Sequence, residues 1–166
     1  MKVLTLLPRY DLQRRVGKAL NSNQFVVDTV VSPKDCLHFV RFSPYEGILV
    51  DSGSLIFKDL LLLVKLLRQE NPGLALFVFE RHLDLEQRLH LFEAGVDDCV
   101  HEPFSASELA VRLGLSIRLR QAASDLAASN AVNVLLLGRS RTGSCPAKGR
   151  TTRKGHRAAT EGILAP

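Results

Sequence analysis

Tyr45-Glu46-Gly47-Ile48-Leu49-Val50-Asp51-Ser52-Gly53-Ser54 is the stretch that decides the fold. An apolar run leads into one carboxylate and then into a Ser-Gly-Ser turn. A short apolar run bounded by turn signals is the pattern of a strand buried on both faces of a parallel sheet. Chemistry in open α/β sheets gathers just beyond the carboxyl ends of the strands, and Asp51 stands at that end. Two readings are open there. Asp51 is an aspartyl nucleophile that accepts a phosphoryl group, or it is the cap of the turn that follows it.

Outward from this strand the chain alternates. Residues 2–7 are apolar and Pro8 ends them, a first strand rather than a leader peptide. Leu12, Val16, Ala19 and Leu20 line one face of a helix that starts near Asp11 and stops at Asn21-Ser22-Asn23. Residues 25–31 are short and β-branched, a second strand. Ser32-Pro33 reads as an N-cap with proline at the first helical position, opening a helix through Phe42. Leu55 to Gln69 predicts a leucine-rich helix closed by Asn71-Pro72-Gly73, and within it Leu60-Leu61-Leu62-Leu63 is apolar on more than one face, which leaves room for a second buried surface. Leu74 to Phe79 is a fourth strand. Asp84 to Ala94 is a helix with Leu85, Leu89 and Phe92 on one face and Gly95 just past its end. Asp98 to His101 is a short fifth strand, and a last helix from Ser105 carries Leu109, Leu113 and Ile117. This βαβ series predicts a three-layer α/β/α sandwich around a five-stranded parallel sheet with right-handed crossovers.

The 166 residues are 46% apolar, enough for one core, and no apolar run approaches the roughly 20 residues of a membrane span. Of 22 Lys and Arg and 17 Asp and Glu, residues 131–166 hold seven bases but only Glu161, leaving 15 bases against 16 acids in the rest. The folded part is therefore near neutral, and the basic character implies no nucleic-acid patch on it. Cys36, Cys99 and Cys145 are odd in number and lack metal spacing, which points to unpaired thiols in a reducing cytoplasm. His38, His82, His90, His101 and His156 show no metal-ligand spacing either, and Ser52-Gly53-Ser54 is not a phosphate-cradling loop. Residues 122–137 read as a linker or an extension of the last helix. Residues 138–166, rich in Gly, Arg and Thr without apolar periodicity, read as a disordered tail.

Three separated motifs, Asp51 after its strand, Glu93-Ala94-Gly95-Val96-Asp97-Asp98, and Glu102-Pro103-Phe104-Ser105 followed by Glu108-Leu109, together resemble a response-regulator receiver domain of the OmpR/PhoB class over residues 1–121. The resemblance implies a flavodoxin-like strand order 2-1-3-4-5. It also implies that Asp51 corresponds to the residue phosphorylated by a histidine kinase, with Mg²⁺ held by an acidic pair at the end of the first strand. In this chain the acidic-pair positions read Leu7 and Pro8. The Ser or Thr that senses the phosphate is matched by Glu80, the lysine before proline by Glu102, and the switch aromatic by Cys99. Arg9 and Arg81 are the cations available to offset Asp51, Glu80 and Glu102, an ion network in place of a metal site.

The same resemblance implies a symmetric dimer through the fourth and fifth helices, with Arg88 opposite Glu108, Asp98 opposite Arg112 and Asp97 opposite Arg118. Such opposite-charge patches are self-complementary, as a twofold interface requires. The plain alternative is a solvated helix face. Regulators of this class continue into a winged-helix DNA-binding domain, and none is visible here. Codon choices exist for which the chain past Gly138, read one base later, gives Asp-Leu-Glu-Leu-Asp-Leu-Val-Arg-Arg, so two readings of the tail stand open: a basic disordered segment, or a frameshifted remnant of such a domain. The expectation is thus an atypical receiver module of the cytoplasm, neither enzyme nor membrane protein, that pairs with itself without cofactor. Under the alternative, a conventional receiver is phosphorylated on Asp51 by a histidine kinase with Mg²⁺. A nucleotide or small-molecule binder of flavodoxin-like fold is a third reading, with no loop motif behind it.

Overall fold

Central strands buried along their length and helices with one apolar face call for a sheet covered on both sides. The computed structural model describes residues 1–138, with side chains described through residue 129. Its elements are β1 (Lys2–Leu6), α1 (Tyr10–Asn21), β2 (Val26–Val30), α2 (Pro33–Phe42), β3 (Gly47–Asp51), α3 (Phe57–Glu70), β4 (Ala75–Glu80), α4 (Leu85–Ala94), β5 (Asp98–His101) and α5 (Ala106–Gly138). All five strands are parallel, in the order β2-β1-β3-β4-β5, so the flavodoxin-like order expected above is the one observed. The tail beyond Gly138, with Cys145 and His156 and both of its readings, lies outside the described residues.

Period-two alternation divides the strand side chains between two cores. Leu4, Leu6, Ile48, Val50, Leu76 and Val78 meet α2, α3 and α4 on one face. Val3, Leu49, Ala75, Phe77, Phe79 and Val100 meet α1 and α5 on the other. Gly47 permits the second contact, because a Cβ there would come within 3.2 Å of Leu113 Cδ1 and 3.3 Å of Ile117 Cδ1. The side chain of Ser32 accepts the Asp35 N–H, with Pro33 at the first helical position. Asp84 and Gln87 form a reciprocal capping box at the start of α4. Gly95 ends α4 with φ +110°, a conformation that a side chain would strain.

The structure departs from the sequence reading in three places. α3 begins at Phe57 rather than Leu55, because a 3₁₀ turn at Ser52–Ser54 occupies the residues after Asp51 and returns to extended backbone at Leu55. Within the leucine run Leu60 and Leu63 are buried and Leu61 packs against the core, while Leu62 faces solvent. The stripe Leu85, Leu89 and Phe92 also points outward, at 65%, 53% and 44% exposure, and Leu91 is the residue α4 buries.

At the N-terminal ends of the strands, Arg68 is clamped by carbonyls and a carboxylate. It donates to Leu74 O at 2.6 Å, Gly95 O at 2.5 Å and Asp97 Oδ2 at 3.2 Å. Asp97 also accepts the Leu76 N–H at 2.8 Å and pairs with Arg120 of α5. One carboxylate therefore ties α3, β4 and α5 together.

Candidate functional site

β1, β3, β4 and β5 all end on the same side of the sheet, where a conventional α/β site would lie. Leu7 is buried in the core and Pro8 is exposed, so neither acidic-pair position offers an oxygen ligand. The next residue takes over. Arg9, in extended backbone at the start of α1, donates from Nε to Asp51 Oδ2 at 2.6 Å and from Nη2 to Asp51 Oδ1 at 3.0 Å. The Oδ1 atom also accepts the Gly53 N–H at 3.1 Å. The capping reading of Asp51 is thus realised, and Asp51 itself is 1% exposed. A bidentate, charge-assisted pair is the strongest arrangement open to a guanidinium and a carboxylate.

Glu102, in the position matched to lysine, is the second anion of the network. Arg9 Nη2 reaches its Oε1 at 2.5 Å, and Arg15 Nη2 and Arg81 Nη2 reach its Oε2 at 2.5 Å and 3.2 Å. Burial alone would push the Glu102 carboxyl up, but hydrogen bonds from Arg9, Arg15 and Arg81 outweigh it and hold the group at about 2, below its ordinary 4.5. The Asp51 hydrogen bond, against the opposing effect of burial, raises Arg9 above the usual guanidinium value. Arg15 also stacks over Phe104 at 5.5 Å, and Phe104 packs on Phe79.

Glu80 is buried beside this network. Its Oε1 accepts from Arg88 Nη1 at 3.4 Å and lies 3.9 Å from His101 Nδ1, while its Oε2 has no partner among the described residues. Cys99 stands near it, and burial pushes its thiol up to about 12, with the Glu80 and Asp98 charges adding to the shift. A thiol so placed is a poor nucleophile.

Phosphoryl transfer to a carboxylate needs a free oxygen in line with the phosphorus and a cation over the equatorial oxygens. Here both Asp51 oxygens accept hydrogen bonds, and a fixed guanidinium takes the cation's place. The residues present do not fit Mg²⁺.

The charged residues expected on the dimer face are largely engaged within the chain. Arg112 donates to Asp98 at 2.7 Å and to Glu108 at 3.2 Å. Arg88 pairs with Glu80 at 3.4 Å. Asp97 is taken by Arg68 and Arg120, and Arg118 is exposed with no ion pair among the described residues. What this face does offer is apolar area: Leu85, Leu89 and Phe92 on α4, and Val111, Leu115 and Leu119 on α5, are all exposed. The sequence reading anticipated Arg9 and Arg81 as counter-charges but not Arg15, which no spacing along α1 links to the strand ends.

No family model matches the chain. A probable transcriptional regulatory protein, y4xI of Sinorhizobium fredii, is 32% identical over 114 residues, 69% of this chain and 50% of the relative. The chain thus spans about half the length of the curated relative it matches. Among solved structures, HP1043, an orphan response regulator of H. pylori, aligns with a TM-score of 0.63 at 24% identity, covering 70% of this chain and 96% of the other. An atypical orphan response regulator described as having a phosphorylation-independent regulatory mechanism aligns with a TM-score of 0.63 at 24% identity, over 71% and 96%. The fold is that of response-regulator receiver domains.

Two outcomes test the network. Arg9→Met leaves the buried Asp51 charge unpaired and lowers unfolding stability by about 3 kcal/mol in urea titrations, most of which the double variant Arg9→Met/Asp51→Leu restores. Because the Glu102 carboxyl is depressed in the folded state, its contribution is present above its ordinary value of 4.5 and is lost as pH falls toward about 2. Glu102→Gln therefore flattens the stability profile across that window.

Proposed function

We propose that this receiver-fold chain is a phosphorylation-independent binding module of a transcriptional regulator, working by association with a second copy through the face formed by α4, β5 and α5. The observation that carries the reading is the Arg9 guanidinium on both Asp51 oxygens. A receiver that keeps a cation permanently on its acceptor carboxylate has no need of a metal or a phosphodonor to hold one signalling state. On this reading the module performs no turnover, acts in the cytoplasm, and binds DNA only through a further domain. The y4xI likeness supports the regulatory role, and the phosphorylation-independent orphan regulator supports the mode of action.

The arrangement of the proposed face supports OmpR/PhoB-like pairing. β5 is the edge strand of the sheet, and the exposed stripes of α4 and α5 flank it on either side. Leu85, Leu89, Phe92, Val111, Leu115 and Leu119 supply apolar area. Arg88, Glu108 and Arg112 form a charged rim that exchanges its intrachain partners for those of the second copy, and the exposed Arg118 extends it. Apolar centres with charged rims are the usual anatomy of such contacts.

Incubation with a small phosphodonor and Mg²⁺, followed by intact mass measurement, is expected to leave the protein unmodified. A stoichiometric phosphate that disappears in Asp51→Asn would overturn the reading in favour of a conventional receiver served by a histidine kinase. Sedimentation at micromolar concentration is expected to show a dimer that weakens with added salt and with Arg112→Glu; a monomer under all conditions refutes self-association.

A further inference from the structure

α5 is apolar on two opposite sides. Leu109, Ala110, Leu113 and Ile117 pack into the core. Diametrically across the helix, at 100° per residue, Leu115, Leu119 and Leu126 are 50%, 62% and 67% exposed. With Ala122 they follow one another at spacings of four, three and four, the a/d rhythm of a helix seam. The helix also outruns the body. Arg120 and Gln121 tie it to Asp97 and Glu46, after which residues 122–129 are all exposed. Beyond those ties the helix overhangs only a shallow cleft, lined by Pro72, Gly73, Ala123, Ser124 and Ala127. An unsupported helix of that length is marginal in water, and its leucines face away from the body.

Resting on the reading of the chain as a self-pairing module, we propose that this outer seam packs antiparallel on the same seam of a second copy, each extension lying along the other's α5. The register is set by the residues. With Leu115 opposite the partner's Leu126, Leu119 falls opposite the partner's Ala122, so the two central layers set a large side chain against a small one and a leucine pair closes each end. The same register sets Arg118 beside the partner's Asp125, and Asp125 beside the partner's Arg118. Neither residue has an ion pair within its own chain among the described residues. Twofold symmetry repeats both contacts, and the interface closes on itself. Because the seam lies across α5 from the core residues, each receiver body stands on the far side of its own helix from the partner. A parallel pairing would stack Ala122 on the partner's Ala122, leave a thin layer, and give Arg118 no acid.

The test uses the full chain. Oxidation of a mixture of Leu115→Cys and Leu126→Cys variants is expected to give the mixed 115–126 disulfide in preference to either like-with-like product, with the unsubstituted chain as the control for its native thiols. Like-with-like products would overturn the antiparallel register. Leu126→Glu, outside the folded body, is expected to weaken dimerisation about tenfold or more without lowering the melting temperature of a dilute sample. Arg118→Asp is expected to weaken it too, and Arg118→Asp/Asp125→Arg to restore it. A dimer indifferent to Leu126→Glu but broken by Arg112→Glu overturns this pairing and leaves the α4–β5–α5 reading standing; a chain that never dimerises overturns both.

Discussion

Asp51 lies at the end of a strand with almost none of its surface in water, and a carboxylate in that position must find a positive charge or lose its own. The chain meets this requirement from within, with two parallel hydrogen bonds from Arg9. Much of the structure at the C-terminal ends of the strands follows from them. Arg9 is drawn over the sheet at the start of α1, and its remaining reach extends to Glu102, which brings the loop after β5 to the end of β3. Arg15 and Arg81 complete the charge balance around Glu102. Replacing a lysine by a glutamate at that position would be untenable beside a bare Asp51; beside Arg9 it supplies the second acceptor that a guanidinium asks for.

The opposite end of the sheet is organised by the same chemistry with the signs exchanged. There one carboxylate, Asp97, gathers two guanidinium groups and a backbone amide. The helices at either end of the chain are thereby held at opposite poles: α1 through Arg9, α5 through Arg120. Between the poles the two apolar cores need only period-two alternation to separate correctly.

That alternation is why so much of the fold was legible beforehand. Strand lengths, the Ser32-Pro33 helix start and the Gly95 stop follow from local patterns that the tertiary structure reinforces, and the strand order came from the family resemblance. The rest was hidden for identifiable reasons. Periodicity in α4 reveals a stripe at Leu85, Leu89 and Phe92 but not which way the stripe turns, since a helix resting on the core through Leu91 looks similar in sequence. Arg118 and Arg120 are two residues apart, yet they lie some 200° apart around α5, so within one chain the carboxylate of Asp97 meets the second. The Arg9 network was partly visible as a shortage of cations where the resemblance demanded a metal. Arg15 joined it from a turn and a half along α1, a distance that spacing rules do not connect to a strand-end carboxylate.

A cation carried on the chain differs from a dissolved one in a way that matters to a regulator. It is present once per site at any magnesium level, and neither dilution nor competition removes it. On the proposed reading, the state of Asp51 carries no news of the cell's ions or of its phosphodonors. If the module acts, as proposed, through a pair of identical chains, what remains free to vary is the number of copies. The concentration of pairs rises with the square of that of free chains, so synthesis and degradation become the input, and growth itself becomes the reset.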